Sequence, residues 1–107
     1  MAVHLTKIYT RAGDSGTTRL SDNSKLAKTD SRLVAYADVE ESNAALGVAL
    51  AMAELPDDVV RVLRAVQNDL FDVGADLATP ISEAPKYPPL RITQNYVDRL
   101  ETWCDEY

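Results

Sequence analysis

The sequence predicts an all-α fold: an up-and-down helical bundle preceded by an extended N-terminal loop. Three observations predict it. From about Asp30 onward apolar residues recur at alternating spacings of three and four, the period of a helix with one buried face. No proline stands between Asp30 and Leu55, or between Asp57 and Thr79, so two long stretches are free of helix breakers. Residues 1–28, by contrast, are rich in Gly, Ser, Thr, Asp and Asn with only short apolar pieces, the composition of an arm and a loop.

The elements follow in order. Asp30 or Ser31 can cap a first helix, with Ala35, Val39, Asn43, Leu46, Leu50 and Ala53 on one stripe. Asp57 is expected to cap a second. Its stripe of Val59, Leu63, Val66, Leu70, Val73 and Leu77 keeps a seven-residue repeat, which points to near-parallel packing in a bundle. Thr79-Pro80 stops it, and Pro80, Pro85, Pro88 and Pro89 make residues 80–91 a non-helical connection. Thr93 opens a third helix, with Ile92 placed to staple onto Val97. Ile92, Tyr96, Leu100, Trp103 and Tyr107 mark its face. Three such helices leave a bundle open on one side, along Leu63, Val66 and Leu70 or along Tyr96, Leu100 and Trp103.

Composition bounds the class. A chain of 107 residues with 46% apolar and 26% charged residues is one ordinary globular domain, arm 1–28 and bundle 30–107. The longest apolar run, Ala44 to Ala53, falls well short of the roughly 20 residues of a membrane span. There is no charged-then-apolar leader, so no membrane association and a cytoplasmic location are expected. A single cysteine, Cys104, and a single histidine, His4, exclude an internal disulfide and disfavour a Cys/His zinc site. Residues 1–32 carry six Lys/Arg against three Asp, whereas residues 33–107 carry five against fourteen acidic groups. The acidic body repels nucleic acid, while the basic segment suits a small polyanion such as a nucleoside triphosphate or is simply a solvated tail.

Chemistry concentrates in Lys7-Ile8-Tyr9-Thr10-Arg11-Ala12-Gly13-Asp14-Ser15-Gly16-Thr17-Thr18. Two glycines three apart let the backbone present N–H groups to one anion, and the hydroxyls and cations around them suit phosphate. The same composition also makes a surface turn. No Gly-Lys-Ser/Thr follows, so it is not a Walker loop. On the first helix, Glu40 and Asn43 share a flank with Tyr36 and Gly47. Asn43 either sets helix register or lines a ligand cleft or subunit contact. Glu40 and Glu41 diverge by about 100° and form no acid–base couple. His4 reads as a surface or structural residue, Cys104 as an inert thiol, and Trp103 with Tyr96 and Tyr107 as a packing seam. No nucleophile–base pair is present, so no catalytic side chain and no metal-ligating set is assigned.

The Lys7–Thr18 segment closely resembles the N-terminal ATP-binding signature of PduO-type ATP:cob(I)alamin adenosyltransferases. Lys28 with Asp30 and Arg32 resembles the family's lysine-containing stretch, and Glu40-Glu41-Ser42-Asn43 through Leu46-Gly47 its Asp-Glu-Leu-Asn segment. Gln67 through Pro80, and Arg91-Ile92-Thr93 with Leu100-Glu101, resemble the following helices.

The resemblance implies a trimer of five-helix bundles with ATP between subunits. It also implies transfer of the 5′-deoxyadenosyl group of ATP, held with Mg²⁺, to cob(I)alamin, with triphosphate leaving and a reductase supplying electrons. By position, Thr10, Arg11, Gly13, Asp14, Ser15, Gly16, Thr17, Thr18 and Lys28 would contact ATP, and Asn43 would lie near the nucleotide or corrin. Glu40 stands where the family has an Asp that pairs across subunits, Ser42 where it has Leu, and Ala12 where it often has Thr or Gly. The family's last two helices are expected to be missing from the chain. The competing expectation is a non-catalytic helical oligomerisation or nucleotide-binding module.

Overall fold

The computed structural model describes residues 5–107, so the expectation for His4 lies outside the described residues. Two short strands, β1 (Thr17–Arg19) and β2 (Lys25–Ala27), precede three helices: α1 (Ser31–Met52), α2 (Asp57–Leu77) and α3 (Gln94–Glu106). The helices sit where the periodicity places them. The hairpin is an addition to the expected arm: β1 and β2 pair antiparallel, with Thr17 opposite Ala27 and Arg19 opposite Lys25. Its turn has local causes. Asp22 accepts from the Ser24 N–H at 2.9 Å, and Asn23 takes φ 70°, a region asparagine tolerates. With only three residues per strand, the hairpin lies below the length that hydrophobic alternation reveals.

α1 begins as expected. Asp30 is its N-cap, and the side chain accepts from the Arg32 N–H at 2.9 Å, a contact that stabilises a helix by about 1 kcal/mol. Ala53 falls just outside α1, as its C-cap. The expected Asp57 cap is corrected: Pro56 holds the N-cap position and makes no side-chain capping bond. Asp57 and Asp58 instead lie in the first turn, where carboxylates favour the positive end of the helix dipole. Thr93 holds the N-cap of α3, again without a side-chain bond. Among the described residues, no helix is long and apolar enough to cross a membrane.

α1 and α2 form an antiparallel pair joined by residues 53–56. Their stripes half-bury one another, and among the described residues only Leu20 and Leu33 fall to 7% and 6% exposure. The Cα radius of gyration is 17.0 Å, against about 13 Å for a compact domain of this length. Apolar surface is therefore left open, although not along the expected seam. Leu63, Val66, Leu70, Tyr96 and Trp103 are half-buried, and Leu100 is exposed. The outward residues are instead Val48 (57%), Met52 (83%) and Phe71 (72%). Ser42 through Met52 holds no charged residue, so this half of α1 has no polar face to turn to water.

α3 is fastened to α2 through polar groups. Tyr96 Oη donates to Asp72 at 2.8 Å, Tyr107 Oη to Asp58 at 2.6 Å, and Arg99 pairs with Asp69. Asp76 accepts from the Ile92 N–H at 2.8 Å and from Arg91 at 2.7 Å. These two donors, the Ile92 amide first, hold the Asp76 carboxyl below the usual carboxylate range. A carboxyl depressed in the folded state stabilises it above the unfolded pKa and loses that contribution as pH falls through the folded value. Asp76→Ala should therefore cost about 2 kcal/mol in urea denaturation at pH 7. The gap from the unmodified protein should narrow as pH falls through the depressed folded-state pKa of Asp76.

Candidate nucleotide-binding loop and interhelical groove

The loop ahead of β1 is built from tight local contacts. Thr10 Oγ1 accepts from the Ala12 N–H at 3.3 Å, Arg11 O from the Asp14 N–H at 3.2 Å, and Gly13 O from the Gly16 N–H at 3.1 Å. Two residues take left-handed backbone, Gly16 at φ 92° and Arg11 at φ 63°. Glycine adopts it freely, but for arginine it costs roughly 1 kcal/mol. Strain of this kind, held in a polar loop, is common where backbone is shaped for a ligand.

The hairpin then completes the site. Lys28 follows β2, and its N–H donates to Gly16 O at 2.9 Å, which continues the ladder and returns the chain to the loop. The Lys28 side chain crosses Gly13: a Cβ built there would lie 3.0 Å from both Lys28 Nζ and Thr17 O. A side chain at position 13 would press on Thr17 O, a backbone atom, and on the mobile end of Lys28, so glycine fits there with the least displacement. Gly13, Thr17 and Thr18 are half-buried, while Thr10, Arg11, Asp14, Ser15, Gly16 and Lys28 are exposed. Lys28, Arg11, Thr10 and Ser15 are thus exposed along the loop, side chains of the kind that recognise a polyphosphate, while the Ala12, Asp14 and Gly16 N–H groups are engaged within it.

Glu40 and Asn43 lie elsewhere, with Tyr36 and Gly47, in a groove of about 680 Å³ between α1 and α2. No loop residue lines it. Asn43 Nδ2 donates to Gln67 O at 3.2 Å, and Gln67 Nε2 donates back to Asn43 O at 3.2 Å. This reciprocal clasp fixes helix register, so the structural role of Asn43 is visible directly. Asn43 Oδ1 is left buried with no protein partner among the described residues, an acceptor that costs energy until something donates to it. Glu40 is exposed at the groove. Sequence reasoning missed Gln67, whose only signal is a polar residue facing Asn43 in an antiparallel pair. Among the described residues, no three His, Cys, Asp or Glu side chains gather as a metal site.

The family described as Cobalamin adenosyltransferase matches residues 8–107. The chain belongs to this family. Over its whole length it is 67% identical to the corrinoid adenosyltransferase of Mycobacterium tuberculosis and 41% identical to the cobalamin adenosyltransferase of Cupriavidus metallidurans. It spans about half of these curated relatives, 55% and 54% of their lengths. A variant PduO-type ATP:corrinoid adenosyltransferase from Lactobacillus reuteri, complexed with cobalamin and ATP, superposes with a TM-score of 0.84 at 34% identity. The match covers 94% of this chain and 56% of that one. A second variant, complexed with ATP, gives a TM-score of 0.79 at the same identity. The hairpin-and-helix arrangement is thus a family arrangement.

Gly13→Ala should displace the Lys28 arm and loosen the hairpin. The check is amide exchange of Lys28, whose N–H closes on Gly16 O: it should quicken in the variant by about tenfold, the equivalent of about 1.4 kcal/mol.

Proposed function

We propose that the protein of which this chain forms part transfers the 5′-deoxyadenosyl group of ATP to cob(I)alamin, giving adenosylcobalamin and triphosphate. The observation that carries this reading is the Lys28 arm lying across Gly13, inside a loop of hydroxyls and turn amides. Reduced cobalt is itself the nucleophile at the ribose 5′-carbon, so the protein needs no nucleophile or general base of its own. Its task is to hold the triphosphate and stabilise charge as it leaves. Thr10, Ser15, Thr17 and Thr18 supply hydroxyls, Gly13 and Gly16 supply close backbone approach, and Lys28 and Arg11 supply charge. Asp14 is the loop's carboxylate and would share Mg²⁺ brought in with the triphosphate. This fits a hard cation that keeps several waters and binds through one or two carboxylates plus substrate phosphates.

Glu40 and Asn43 are proposed to face a substrate or a neighbouring subunit across the α1–α2 groove. The buried, unpartnered Asn43 Oδ1 supports this, because a donor from outside the pair would satisfy it. A homotrimeric assembly is proposed on similar grounds. Val48, Met52 and Phe71 are exposed apolar side chains that a subunit contact would cover. A reductase is the expected source of electrons for cob(I)alamin, and the cytoplasm the expected location.

Lys28→Ala and Asp14→Ala should each weaken ATP binding in the full-length protein by about 1–3 kcal/mol. Calorimetric titration checks this, and unchanged isotherms for both variants would remove the loop from the site. Activity is read by following the cob(I)alamin spectrum with ATP under reducing conditions. Residues 1–107 expressed alone should self-associate and fail to adenosylate cob(I)alamin, with mass read by light scattering. A monodisperse, active fragment would overturn the expectation that residues 1–107 lack part of the bundle and of the site.

A further inference from the structure

Tyr9 is the one aromatic residue of the loop segment, and none of the contacts proposed above uses it. The residue is 60% exposed, so it packs into no core. The guanidinium carbon of Arg11 lies 5.4 Å from the centroid of the Tyr9 ring, within the range of a cation–π contact. Arg11 reaches the ring from left-handed backbone, φ 63°, a conformation that arginine disfavours. Thr10 Oγ1 and the Asp14 N–H bracket this strained residue. The ion pairs among the described residues join Arg91 to Asp76 and Arg99 to Asp69, and Arg11 belongs to neither.

These facts have one consequence for an anion site. A free arginine beside an acidic body, fourteen Asp/Glu against five Lys/Arg in residues 33–107, is readily drawn to a carboxylate. Stacking on an aromatic ring occupies the flat face of the guanidinium and leaves the N–H edge open for phosphate oxygens. We propose that Tyr9 is a positioning residue: its ring holds Arg11 unpaired, with that edge free for the triphosphate. The proposal rests on the loop being the triphosphate site. An exposed cation–π contact is small, so the effect is expected to be about threefold in affinity.

The test titrates ATP, inorganic triphosphate and adenosine into the intact protein by calorimetry, with folding of each variant confirmed by circular dichroism. Tyr9→Leu should raise Kd for ATP and for triphosphate about threefold and leave adenosine binding unchanged. Tyr9→Phe should bind like the unmodified protein, because the ring face and not the hydroxyl makes the contact. In an Arg11→Gln background, Tyr9→Leu should have no further effect. The proposal is overturned by normal triphosphate binding in Tyr9→Leu, by an equal loss in Tyr9→Phe, or by a full Tyr9→Leu loss without Arg11. A loss for ATP or adenosine but not triphosphate also overturns it, since the ring would then serve the base. Lys28→Ala separates the two levels. If it too leaves triphosphate binding intact, the loop reading fails and the Tyr9 role with it; if it weakens binding while Tyr9→Leu does not, only the Tyr9 role fails.

Discussion

The last carbonyls of α2 have no partners within the helix, and α2 has no basic residue in its own last turn. Three other parts of the chain satisfy them. Arg32, from the first turn of α1, donates to Leu77 O at 2.7 Å. Ser21, from the hairpin turn, donates its N–H to Ala78 O at 3.1 Å and its hydroxyl at 2.9 Å. Arg91, just ahead of α3, donates to Asp76 O, Thr79 O and Pro80 O at 3.1, 2.6 and 3.2 Å. Two guanidinium groups at the negative end of a helix dipole are favourable for the dipole as well as for the orphan carbonyls. The hairpin, α1 and the lead into α3 are all located by this one helix end.

That arrangement matters for the loop because the hairpin carries it. Ser21 anchors the turn to α2, the β1–β2 ladder transmits the position, and Lys28 leaves β2 already opposed to Gly16. A loop that contributes almost no apolar burial of its own is thus held by backbone pairing and by the contacts of Ser21 with Ala78 and Thr79, far along the chain. Leu20, at the end of the ladder, is one of two well-buried side chains among the described residues. α3 differs in character. The Arg99 guanidinium carbon lies 5.9 and 5.3 Å from the Tyr96 and Trp103 ring centroids, while the group pairs with Asp69. Aspartates along α2 (Asp58, Asp69, Asp72 and Asp76) accept from α3 and the residues leading into it, and so fasten the two helices together.

Much of this was legible in residue order. The stripes of α1 and α2 are half-buried position by position, from Ala35 through Leu50 and from Val59 through Leu77. Asp30 caps as its residue type predicts. The flank of Tyr36, Glu40, Asn43 and Gly47 does line one groove. The hairpin was not legible, because three-residue strands give no alternation to read. Nor was the Pro56 cap, since Asp57 has the better side chain but falls one residue inside the helix. Leu100 fits the spacing of its face and is exposed all the same: periodicity shows which residues share a side of a helix, not whether anything covers that side.

By itself, then, the sequence determined the helices, the polar loop with its two glycines, and the family likeness. All of these depend on local composition and on the 3.6-residue period. Tertiary structure decided which distant groups meet: Lys28 across Gly13, Asn43 with Gln67, and Arg11 over Tyr9. The first two depend on a strand register and a helix register, each set by pairings between separate segments. The third depends on a left-handed arginine held by its neighbours' hydrogen bonds. Spacing along the chain constrains directions within an element, but proximity between elements comes only from how their free donors and acceptors are finally satisfied.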